Sequence, residues 1–239
     1  MPQMDLFNSI NNSPLFTAGF FLNGENKKQK EHEDTGNLLS GIEELFELSI
    51  DAHNAALFAL MSGFPIMEEV SRFIKKTLKA KDRNEAAKIS LDRGDPDVLI
   101  VLKTAGKVQH EIHRLQGLLR FNPDKNGVYI AKCQPDYFIL PALAEHFTLR
   151  FGETSWAIID EKRELCLYRE KGGEVLLVTQ KEFLKNAPRN KAKDENNDSW
   201  ENLWQLYHRT INNEGRKNLR LQRQFMPERY RKYLPEVEK

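Results

Sequence analysis

The chain has 239 residues, of which 40% are hydrophobic and 30% charged, and its formal net charge is +1. This is the composition of an ordinary globular protein, long enough for one large core or two small ones. No apolar run approaches the roughly 20 residues that span a bilayer. The run Leu15 to Leu22 is short and lacks a preceding lysine or arginine, so it does not read as a secretory signal, and a cytoplasmic location is expected. Cys133 and Cys166 are the only cysteines, in β-like patterns outside any Cys-x-x-Cys pair. Buried free thiols are expected of them, with a disulfide as the alternative. No metal or other cofactor is expected.

Residues 1–37 are rich in Asn, Lys, Glu and Gly and read as a flexible arm, with 23–37 a solvated linker. Residues 38–94 read as a helical region. Ile42, Leu45, Phe46 and Ser49 keep the three-four spacing of one buried face, as do Val70, Phe73, Ile74 and Leu78. Gly63-Phe64-Pro65 breaks the two apart. Residues 95–239 read as one α+β domain. Its first helix starts at Asp95-Pro96, an N-cap followed by a first-turn proline. The stripe Val98, Val101, Ala105, Val108, Ile112, Leu115 and Leu119 sustains it.

Arg120 to Cys133 reads as a hairpin turning at Pro123 to Gly127, with Asn126-Gly127 supplying positive φ. A helix from about Phe138 to Phe151 follows, with Leu140, Leu143 and Phe147 inward. Strands are then predicted at Trp156 to Ile159, Leu165 to Arg169 and Val175 to Val178, the last two joined by Lys171-Gly172-Gly173. The order β-β-α-β-β-β argues for an antiparallel sheet backed by helices. After a polar stretch from Asn186 to Asp198, an aromatic and then basic helical segment closes the chain.

That closing segment is the most distinctive part of the sequence. Trp200, Leu203, Trp204, Tyr207 and Ile211 recur at helical spacing, a stripe that usually packs into a core and sometimes stacks bases. Arg209, Arg216, Lys217, Arg220, Arg223, Arg229, Arg231 and Lys232 follow, against Glu214 and Glu228. A local cationic surface with aromatics suits a polyanion, foremost DNA; a solvated basic face is the plain alternative.

Two histidines could carry chemistry. His110-Glu111-Ile112-His113 lacks the i, i+4 ligand spacing of a zincin, and His110 points away from the stripe. His113 shares a helix flank with Gly106, Gln109, Gln116, Gly117 and Arg120. Two glycines there imply close approach, either of a ligand or of another backbone in tight helix-on-sheet packing. His146 stands one turn before Arg150. If His113, Arg120, His146 and Arg150 converge, they would form a phosphate site, because guanidinium repels metal ions and pairs with phosphate. In that case His113 and His146 would be the acid–base groups of an enzyme acting on a nucleotide or DNA end. Asp160 and Arg163 read as turn residues, with a carboxylate lining a cleft as the lesser alternative. No phosphate-binding glycine loop or nucleophile elbow is present.

Several strings taken together resemble an uncharacterised bacterial family described as DNA-repair or DNA-metabolism proteins. They are His110 to Arg114, Leu119-Arg120-Phe121, Pro135-Asp136-Tyr137, Leu140-Pro141, His146-Phe147, Arg150-Phe151 and Trp156-Ala157-Ile158. Leu203-Trp204, Tyr207, Arg209 and the ending Leu221 to Tyr230 complete them, so the likeness runs from about Asp95 to Glu236. Members of that family occur beside a radical-SAM protein thought to act on DNA, or fused to a uracil-DNA-glycosylase-like domain. The resemblance therefore implies an accessory role in DNA repair, with DNA and a radical-SAM protein as partners and no membrane. It points to His113, Arg114, Arg120, His146, Arg209, Arg229 and Tyr230. Tyr137 stands where a histidine is common and Arg231 where a tryptophan is common. A protein-interaction scaffold for a repair enzyme, docking through the aromatic helix, is the remaining alternative.

Overall fold

The computed structural model describes residues 30–186, 197–211, 215 and 218–235. The 1–29 part of the expected arm, most of the second polar stretch and Arg216 lie outside the described residues. The described residues fall into two compact units, one within 18–112 together with 136–139, the other from 113–135 and from 140 onward.

The first unit is helical. Its helices are α1 (Lys30–Leu48), α2 (Ile50–Met61), α3 (Met67–Thr77), α4 (Arg83–Leu91) and the body of α5 (Pro96–Leu118). Ser49 caps α2 by accepting from the Ala52 amide, and Asp82 caps α4 by accepting from Glu85. Asp95 caps α5 through its side-chain oxygen, which accepts from the amides of Asp97 and Val98. The core gathers the apolar positions expected from spacing: Ile42, Leu45, Val70, Phe73, Val98, Val101 and Val108 are all fully buried. Lys76 bridges Asp95 and Asp97 at 2.6 and 2.8 Å, and Arg72 reaches Asp97 at 3.0 Å, tying α3 to the start of α5.

One polar residue in this unit departs from the pattern. Glu111 sits at stripe spacing between Val108 and Leu115 and is 2% exposed. Its carboxylate accepts from the backbone amides of Asp136 and Tyr137, each at 2.9 Å. A buried carboxylate needs such donors to offset its lost hydration. Glu111 thus fixes the segment that leads into the next helix.

The second unit is a five-stranded sheet with helices. Its strands are β1 (Asn122–Pro123), β2 (Tyr129–Cys133), β3 (Trp156–Asp160), β4 (Leu165–Arg169) and β5 (Val175–Thr179), paired in that order. The class is α+β, but the sheet is mixed: β2 and β3 run parallel, with Tyr129 opposite Trp156 and Cys133 opposite Asp160. The other pairs are antiparallel. The expectation of an antiparallel sheet fails at this one pair because α6 (Leu140–Phe151) intervenes. A helical crossover carries the chain back to the end where β2 began, which a hairpin cannot do.

The expected β1–β2 hairpin forms, closed by Asp124, which accepts from the amides of Asn126 and Val128. Gly127 alone takes positive φ there, at +76°.

Central β3 is buried at all five positions, which explains its unbroken apolar run. Its Trp156 side meets α6 through Phe147, at 6.3 Å between rings. Phe121 and Phe151 extend that aromatic cluster. Its Ala157/Ile159 side packs with Cys166 and with Phe183 of α7 (Gln180–Asn186). Both cysteines are buried free thiols.

Glycines separate packed from open helix surface. A β-carbon on Gly41 would lie 2.8 Å from the Ile74 side chain, whereas at Gly106 no described atom would come within 4 Å. Gly41→Ala is expected to cost about 1–3 kcal/mol by overpacking. Gly106→Ala should gain about 0.5–1 kcal/mol of helix stability. Urea unfolding of the two variants checks both signs.

Candidate nucleic-acid interface

The closing segment forms α8 (Asn197–Ile211), α9 (Leu219–Phe225) and α10 (Glu228–Arg231). Asn218 caps α9 by accepting from the Leu221 amide at 3.0 Å. Pro227 then ends that helix and opens the next turn. The aromatic stripe of α8 does not enter a core as its spacing predicts. Trp204 is 37% and Tyr207 52% exposed, and Leu203, Leu206 and Ile211 are exposed too. Phe225 on α9 is 59% exposed. At 100° per residue Leu203, Trp204, Tyr207 and Ile211 share one side of α8, and Leu206 and Arg209 another. The side chain of Trp200 lies outside the described residues.

Among the described residues, attachments at both ends hold this segment to the sheet unit. At one end the Arg120 guanidinium lies over the Trp204 ring, 5.3 Å from its centre, while donating to the Gly117 carbonyl at 2.8 Å. Trp204 in turn meets Tyr207 at 5.7 Å. At the other end Tyr230 and Leu234 are buried, at 2% and 3% exposure. The Tyr233 hydroxyl donates to Glu161 at 2.7 Å, and Lys132 and Lys232 flank the same carboxylate. Tyr233's hydrogen bond, followed by the two lysine charges, holds Glu161 below the ordinary glutamate range. Burial first, then Glu161 itself, pushes the Tyr233 phenol well up.

The expected site residues fall into three groups. Arg209 and Arg220 are exposed on α8 and α9, Arg150 is exposed on α6, and Arg114 is half-buried on α5. Among the described residues none of these four makes an ion pair. Arg120 and Arg229 are engaged with rings, Arg229 over Tyr230 at 4.7 Å. Arg231 donates to the Met226 carbonyl within the segment, and Lys232 pairs with Glu161 and so serves the attachment. Buried Tyr230 does so as well, and is not placed to meet a solvent-borne ligand. Arg216 and the side chain of Arg223 lie outside the described residues.

His113 is exposed, and no direct contact joins it to His146 among the described residues. Gly117 beside it has no described atom within 4 Å of where a β-carbon would stand, so the flank is open rather than tightly packed. His146 is half-buried and edge-on to Phe147 at 4.8 Å. Burial and then the Arg150 charge lower its pKa, which keeps the imidazole neutral near pH 7.

Asp160 is fully buried. It accepts from the Lys162 and Arg163 amides and pairs with the Arg163 guanidinium at 2.9 Å, which also donates to the Pro135 carbonyl. It is turn chemistry, as its spacing implied. No cluster of potential metal ligands occurs among the described residues. No helix there is long and apolar enough to cross a membrane.

Residues 68–236, more than half of the chain, match a family described as a domain of unknown function, DUF4130. The chain belongs to the DUF4130 family. The match starts in α3, within the helical unit, and runs through the sheet to the attached tail, so the DUF4130 region draws on both compact units. No curated protein and no solved structure matches the chain.

The Tyr233–Glu161 bond makes tail attachment pH-dependent. Because folding depresses the Glu161 pKa, its stabilisation is complete above the ordinary value of 4.5 and fades as the pH falls through the folded value. Tyr233→Phe is expected to cost about 1.5–3 kcal/mol at neutral pH, the worth of a hydrogen bond to a charged group. That difference from the parent should shrink below pH 4.5, as read by urea titrations at several pH values.

Proposed function

We propose that this DUF4130 protein binds nucleic acid, acting as an accessory factor in DNA repair or DNA metabolism. The observation that carries the proposal is the exposed surface of α8 and α9. Aromatic rings are exposed on one side of α8 and on α9, Arg209 and Arg220 are exposed with no ion pair among the described residues, and the sequence from Leu203 to Pro227 holds five lysines and arginines against one glutamate. Cations without carboxylate partners repel one another and gain by meeting a polyphosphate, whose bound counterions they release. The resemblance described above supports the DNA context and adds a radical-SAM protein as a candidate partner.

A second reading takes the same surface as a docking face for a repair enzyme, favoured by exposed Leu203, Leu206, Ile211 and Leu221. The arginines separate the two. Fluorescence anisotropy with a labelled oligonucleotide should show affinity falling steeply between about 50 and 200 mM salt. Arg209→Ala combined with Arg220→Ala should weaken binding about tenfold or more and flatten the salt slope by about 2. Affinity indifferent to salt and to both replacements would remove nucleic acid from this surface.

A further inference from the structure

We infer that the α8–α9 surface takes single-stranded nucleic acid, its bases laid on Trp204, Tyr207 and Phe225, in preference to a base-paired duplex. The inference rests on the nucleic-acid reading of the same surface and names its substrate class. A duplex keeps its base faces stacked inside and offers a protein only phosphates and groove edges. Cations and polar side chains suffice for that, and wide apolar area would stay wet. Unpaired strands offer ring faces, which aromatic side chains bind regardless of sequence.

The surface is built for the second case. Trp204, Tyr207 and Ile211 on one side of α8 are exposed, as are Leu221 and Phe225 on α9. The sequence from Leu203 to Phe225 carries five lysines and arginines against Glu214, and Arg209 and Arg220 are exposed. The charge therefore complements a polyanion and disfavours a basic protein partner. Arg120 adds positive charge on the aromatic side itself, because its guanidinium lies over Trp204. With that cation against the indole, and Tyr207 beside it at 5.7 Å, the rings are braced before any ligand arrives. Bracing lowers the ordering cost of stacking a base.

An unstructured oligo-dT strand and a blunt duplex of equal length are compared by anisotropy with the full chain, alongside Tyr207→Ala and Phe225→Ala. Both replaced rings are more than half exposed, so folding should survive, and circular dichroism confirms it. Oligo-dT is expected to bind at least about tenfold tighter than the duplex. Each replacement should erase much of that preference while leaving duplex affinity unchanged. Equal or tighter binding of the duplex overturns the inference and leaves the proposed function standing. A preference that survives loss of both rings also overturns it, since the bases would then be held elsewhere. Binding of neither probe overturns the inference and the proposed function together.

Discussion

The hydrogen bond from Tyr233 to Glu161 is the constraint on which the closing segment depends. It sits where a tail with two buried side chains, Tyr230 and Leu234, meets the end of β3. A segment with so many exposed apolar side chains does not hold its place through its own burial. Its position comes from its ends, with Arg120 against Trp204 on one side and the tail on the other. Held ends separate a binding face on α8 and α9 from a solvated tail.

The corner after β3 carries that load because two adjacent acids divide the work. Asp160 is wholly buried and spends its carboxylate on the turn and on Arg163. Glu161, one residue later, points to the other side of the strand end and takes the tail's phenol and two lysines. The parallel β2–β3 pair sets the place, since it brings Lys132 of β2 beside Glu161. A reversed β2 would not present that lysine there. The mixed topology thus bears on the binding surface, even though only one strand pair departs from the antiparallel pattern.

Much of the fold was legible in the residues because it follows from periodicity and local turn chemistry. The α5 stripe, the Asp95 cap, the β4 bounds and the hairpin at Asp124 to Gly127 all follow from short-range rules. What escaped were pairings over long separations. Glu111 looked like part of a histidine-flanked motif, and only its stripe spacing hinted that a carboxylate would be buried against backbone amides. Tyr233 carries no local signal for Glu161, 72 residues away. The α8 stripe misled in the opposite direction: helical spacing identifies an apolar side, but whether anything covers it is a property of the whole chain. For the candidate site, the arginines of α8 and α9 were readable as a local charge excess. Which of the neighbouring cations are consumed by tail attachment was not readable.

Hydrogen–deuterium exchange of the full chain with and without a bound oligonucleotide tests the central claim most directly. The account expects slowed exchange across Leu203 to Phe225, with the open flank around His113 and Gly117 unchanged. Protection confined to that flank, or none on α8 and α9 when the oligonucleotide is bound, would contradict it.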